Sequence, residues 1–149
     1  MHPPNVKVSS KDSPMLSHVT LGVSNIPAAM AFYDAALAPL GIIRRYTFDD
    51  SLGYALAGGP EDGPAQLWVM HPFNGQPPHA GNGWHVALVA PSRAAVDAFH
   101  AAALAHGGIS EGAPGVRPLY HPEYYAAYVR DPEGNKLQAV NHGSQHNVI

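Results

Sequence analysis

The stretch His18–Ile42, HVTLGVSNIPAAMAFYDAALAPLGI, returns at His85–Ile109 as HVALVAPSRAAVDAFHAAALAHGGI. At an ungapped offset of 67, 12 of the 25 positions are identical. Alanine richness inflates that count. The pairs His18/His85 and Phe32/Phe99, and the closing Gly-Ile of both copies, do not depend on it. The chain reads as a duplication, and the repeated unit sets the fold.

Each copy carries the same physical plan. Val19, Leu21 and Val23 alternate in the first copy, and Val86 and Leu88 in the second, which is the period of a strand with one apolar face. Each strand runs into a helix. Asn25 or Ser24 can cap the first, with Pro27 in its opening turn, and Ser92 can cap the second. Met30, Tyr33 and Leu37 in one copy, and Val96, Phe99 and Ala103 in the other, fall at helical spacing. Pro39 and Gly41 stop the first helix, and Gly107-Gly108 the second. Further strands are predicted near 42–48, 51–56 and 65–70, then near 117–120, 125–130 and 136–140. Asp131-Pro132-Glu133-Gly134-Asn135 forms a tight reversal before the last of them. The segment 72–83, rich in Pro, Gly and Asn, links the copies. One folded domain is expected over 15–142, with units of about 15–71 and 83–142 and tails at 1–14 and 143–149.

The composition narrows the function. The chain has 149 residues, a net charge of -3 and only eight Lys and Arg, so no basic footprint for nucleic acid is expected. No apolar run approaches a membrane span. No signal-like apolar segment is present, which makes cytoplasm the expected compartment, and the lack of any Cys, compatible with any compartment, excludes disulfides and thiolate metal sites.

Ten histidines are unusual for this length. Strand alternation turns His18 away from Val19 and Leu21, and His85 away from Val86 and Leu88. If the copies pair about a pseudo-two-fold axis, the two imidazoles can meet in one cavity, an arrangement suited to a divalent ion. A structural role for each, copied with the repeat, is the competing reading.

Taken together, His18 in LSHVTLGVSN, the helix AAMAFYDAALAPLGI, His85 in GWHVALVAP and the terminal DPEGNKLQAV resemble the vicinal oxygen chelate superfamily of glyoxalase, bleomycin-resistance and extradiol-dioxygenase proteins. The resemblance covers residues 15 to about 142. It implies an α+β fold in which two tandem βαβββ units form one eight-stranded, cup-shaped mixed sheet with helices on the outside. It also implies up to four metal ligands on the first and last strands of the units, two of them at His18 and His85. Where such proteins carry Glu on the last strand, this chain has Gln138. The matching position of the first unit is Trp68, or Gln66 in the other register. A triad of His18, His85 and Gln138 is thus implied for Fe, Mn, Ni or Zn, with a neutral amide in place of a carboxylate. Trp68 suggests an aromatic wall for a ligand, or ordinary packing.

The segment 117–125 gathers Arg117, Tyr120, His121, Tyr124 and Tyr125. Tyr125 and His121 are candidates for proton transfer. Arg117 is a candidate for holding a carboxylate, and His142, alternating with Gln138, a further contact at the rim. Three functions stay open. One is a metal-dependent lyase, isomerase or dioxygenase acting on a small oxygen-rich or aromatic substrate. Another is a metal-free, drug-sequestering type of binding protein. The third is a module with a vestigial cup. A small-molecule ligand and a homodimer are expected.

Overall fold

A computed structural model describes residues 15–144. The expected tails fall outside the described residues, except for Gly143 and Ser144. Two βαβββ units follow one another. The first comprises β1 (Val19–Gly22), α1 (Ile26–Leu37), β2 (Ile42–Thr47), β3 (Ser51–Leu56) and β4 (Leu67–Met70). The second comprises β5 (Val86–Val89), α2 (Arg93–Ala105), β6 (Ile109–Val116), β7 (Tyr125–Arg130) and β8 (Lys136–Asn141).

Local chemistry sets the boundaries. Asn25 Oδ1 accepts the Ala28 N–H at 3.0 Å, and Ser92 Oγ accepts the Ala95 N–H at 3.0 Å, so each helix has a side-chain cap. A single 3-10 turn, Ala38–Leu40, ends at Gly41, whose φ of 76° is the left-handed conformation that favours glycine.

Both units have the same topology. The first sheet has the order β1-β4-β3-β2 and the second β5-β8-β7-β6. In each, the outer strand runs parallel to the last strand and the remaining pairs are antiparallel. The eight strands therefore form two four-stranded sheets, and no ladder among the described residues joins them into one eight-stranded sheet. Helices α1 and α2 lie against each other. They share one continuous core with one face of each sheet, built around Phe32, Tyr33, Leu52, Tyr54, Phe99, Val129 and Leu137. No helix among the described residues is long and apolar enough to cross a membrane.

One strand departs from the expectation. Residues 117–120 form a turn, and the strand after α2 is instead Ile109–Val116. Its sequence, ISEGAPGV, reads as a turn because it holds two Gly and a Pro. It survives as an edge strand with register shifts at Gly112 and Gly115, a setting that tolerates Pro. Gly108 just before it is required by packing. A Cβ there would lie 2.7 Å from Phe32 Cε2 and 2.9 Å from the Arg130 carbonyl.

The turn DPEGN joins the two units. Asp131, only 2% exposed, accepts four hydrogen bonds: from the Tyr33 hydroxyl, the Asn135 side chain, and the backbone N–H groups of Glu133 and Asn135. Asn135 Nδ2 also donates to the Gly22 carbonyl at 2.9 Å. The Glu133 carboxylate receives the Ser24 hydroxyl and the N–H groups of Ser24 and Asn25 at the start of α1. Burial pushes the Glu133 carboxyl up, but these donors outweigh it and hold the group below its ordinary value.

Candidate ligand-binding site on the second sheet

Strand register shows how the duplicated units diverged. One row across the first sheet reads Thr20, Trp68, Gly53, Tyr46. The equivalent row of the second reads Ala87, Gln138, Tyr128, Gly112. Leu67 therefore matches Leu137 and Trp68 matches Gln138, which decides the register in favour of Trp68 over Gln66. Each row sets one large ring beside a glycine. A Cβ on Gly53 would lie 2.9 Å from Trp68 Cη2, and one on Gly112 3.1 Å from Tyr128 Cδ2. The ring has moved over by one strand between the copies. In the first unit the indole fills the position next to the outer strand and stacks on Tyr46, with centroids 5.8 Å apart. In the second that position is free for the Gln138 amide.

That amide is the centre of a polar network. Gln138 is 1% exposed. Its Oε1 lies 3.0 Å from His85 Nε2, and its Nε2 donates a short hydrogen bond to the Tyr124 hydroxyl. An amide oxygen only accepts, so the His85 proton sits on Nε2. The Tyr128 ring meets His85 edge-on at 5.8 Å. Burial, then the neighbouring hydroxyls of Tyr124 and Tyr120, push the Tyr128 phenol up to about 12, which keeps it protonated and able to donate near neutral pH. Lys136 Nζ lies 5.4 Å from the Tyr128 ring centroid, and Arg117 Cζ 5.7 Å from it. His85, Tyr128, Lys136 and Arg117 line a hollow of about 380 Å³, with Leu119, Tyr120 and Glu111 at its sides.

Of the residues singled out in the sequence, His85, Gln138 and Arg117 come together here. His121 and His142 lie alongside, across Tyr124. His121 Nδ1 accepts the Glu123 N–H at 3.1 Å, so its Nε2–H donates to His142 Nδ1 at 3.0 Å. Tyr124 meets both rings edge-on.

Three expected members stand elsewhere. His18 is exposed, bonded to Ser17 Oγ, and lines a different cavity of about 290 Å³ with residues of β1, β3, β4 and β5. Trp68 belongs to the first sheet. Tyr125 points to the helix side of β7, where its hydroxyl donates to Asp97 of α2 at 2.6 Å and Arg93 covers its ring. The alternation that puts Ala126 and Tyr128 on the site face puts Tyr125 on the other.

The donor set suits a divalent ion poorly within one chain. Among the described residues, no group of three or more His, Cys, Asp or Glu is placed to hold a metal. The Nε2 of His85 is committed to the neutral amide oxygen of Gln138, whose own Nε2 is bonded to the neutral Tyr124 phenol. Sequence reading missed Tyr128 and Lys136, and it gathered Tyr124 into the 117–125 cluster without giving it a role. Pairing the last two strands so that Gln138 meets Tyr128 would have found Tyr128, since residues opposite one another share a face.

Two βαβββ units with matched sheet order define a paired-unit α+β protein with its polar cluster on the last strand. The sequence model of the Glyoxalase/Bleomycin resistance protein/Dioxygenase superfamily matches residues 15–139, and the chain belongs to that superfamily. Among solved structures it is similar to a glyoxalase/bleomycin resistance protein from Albidiferax ferrireducens, at 38% identity and a TM-score of 0.73, covering 86% of this chain and 98% of that one. A glyoxalase I variant from Zea mays shares the fold at 22% identity and a TM-score of 0.63, covering 84% of this chain and 45% of that one. So does FosX, the fosfomycin resistance protein of Listeria monocytogenes, at 18% identity and a TM-score of 0.60, covering 89% and 97%. None of the curated proteins matches the chain.

Proposed function

We propose that the chain is a small-molecule-binding member of its superfamily that takes its ligand in the hollow of the second sheet without a resident metal. The observation that supports this most is the state of Gln138. At the position where the resemblance implies a ligand carboxylate, a buried amide is satisfied by His85 on one side and Tyr124 on the other. Trp68 occupies the equivalent position of the first unit, and its indole, a hydrogen-bond donor only, offers no ligand atom to a metal. A metal-dependent lyase, isomerase or dioxygenase would need anionic or imidazole donors, and among the described residues no group of three or more is placed to supply them. In the hollow, Tyr128 and Tyr120 supply aromatic surface, while His85 and Arg117 supply polar contacts.

Thermal shift measurements with a panel of aromatic and oxygen-rich compounds test the reading. Each compound is measured in excess chelator, then with Fe(II), Mn(II), Ni(II) or Zn(II) supplied. Stabilisation by the same compounds in both conditions is the expected result. Compounds that act only when a metal is supplied would instead establish the metal-dependent enzyme. We expect the binding form to be a homodimer, which light scattering on the purified protein checks.

A further inference from the structure

The hollow carries an unbalanced charge, and we infer from it that the ligand is an anion, specifically a small planar compound bearing a carboxylate. This rests on the reading of that hollow as the ligand site and names the class of molecule it selects. Two cations, Lys136 and Arg117, stand over one aromatic ring, Tyr128. Neither faces a carboxylate partner. Arg117 donates to the carbonyls of Gly115 and Ala113 at 2.8 and 2.7 Å, which fixes the plane of its guanidinium and leaves its other N–H groups for a ligand. The Lys136 side chain makes no hydrogen bond or ion pair with the described residues. Its one polar interaction is with the Tyr128 ring.

The one acid in the wall does not cancel them. Glu111 is bound to Arg130, with Nε and Oε1 2.5 Å apart. His85, whose Nε2–H is donated to Gln138, adds no negative charge. The hollow therefore presents two positive groups whose attraction is shared with a ring face, a weak substitute for an anion at the about 0.5–1 kcal/mol typical of such contacts at exposed sites. A carboxylate placed between them gains charge-assisted hydrogen bonds, and the fork of Arg117 suits its geometry. The rest of the wall favours a flat body: Leu119 and Tyr120 are 88% and 61% exposed beside Tyr128.

The test is an NMR titration of the uniformly ¹⁵N-labelled full chain with benzoate, benzamide and benzylamine, three probes of one shape and different charge. Benzoate is expected to bind tightest, with backbone shifts at Tyr128, Lys136 and Gln138. An affinity ratio over benzamide of about five-fold or more is expected for partly exposed charge pairing. In K136Q, shown folded by circular dichroism, the ratio is expected to fall toward one, and K136R is expected to restore most of it. Equal affinity of benzoate and benzamide for the wild type, or a ratio unchanged in K136Q, would overturn the inference while leaving the hollow as a binding site. If no probe perturbs these residues, the reading of the hollow itself fails and the inference with it.

Discussion

The Tyr33 hydroxyl, on α1 of the first unit, donates a 2.6 Å hydrogen bond to Asp131 Oδ2, in the turn before the last strand of the second. Both residues are buried, and the carboxylate has no other contact with the first unit among its four donors. Burial, then the Asp131 charge, drives the Tyr33 phenol well above its ordinary value, so it stays a donor throughout the working pH range. Y33F should cost about 1–2 kcal/mol, the loss of one buried hydrogen bond. D131A should cost about 3–5 kcal/mol, because it strands several buried donors at once. Urea denaturation measures both. Equal, small losses would show that the turn does not tie the units together.

Glu133 should make stability depend on pH. Its folded-state carboxyl lies below its ordinary value, so its contribution is fully present above the unfolded carboxylate range and is lost as pH falls through the lower folded value. The wild-type melting temperature should therefore fall more steeply on acidification than that of E133Q. Parallel curves for the two proteins would remove Glu133 as the cause.

Most of the architecture was legible in the sequence, because duplication doubles every signal. His18/His85, the two helices and their caps, and five of the six later strands followed from periodicity and turn chemistry. The strand Ile109–Val116 was not legible, since its Gly and Pro content hides an irregular edge strand behind a turn-like composition. The site was half legible. His85 and Gln138 stood at positions that the repeat and the resemblance mark, but Tyr128 depends on the pairing of β7 with β8. Tyr125, grouped with the 117–125 loop in the sequence, opens β7 and turns its hydroxyl to Asp97 of α2. The DPEGN turn read as a reversal and as part of the family resemblance, but not as a tie between the units, because its contacts reach residues more than 90 positions away.

Gly53 should be intolerant of any side chain. A Cβ there would meet Trp68 Cη2 at 2.9 Å and Ala65 Cβ at 3.0 Å. G53A should destabilise the protein by about 1–3 kcal/mol, as overpacking does, and should shift Trp68 fluorescence by moving the indole off Tyr46. Pairing it with W68F, a smaller ring, should recover part of the loss. A neutral G53A would mean that the first sheet adapts freely.

Tyr124 should matter through Gln138. Y124F leaves a nearly fully buried amide N–H without its partner, at an expected cost of about 1–3 kcal/mol. The Gln138 side-chain NH₂ resonances in the NMR spectrum should move in Y124F and in H85A. If they move in neither, the three groups are not one network.

The most direct measurement is a calorimetric titration of chelator-stripped protein with Zn(II), Ni(II), Mn(II) and anaerobic Fe(II), repeated on H85A. With His85 Nε2 held by a neutral amide, no saturable binding that depends on His85 is expected for any of the four. Saturable binding near one ion per site in the wild type, abolished in H85A, would contradict the metal-free reading.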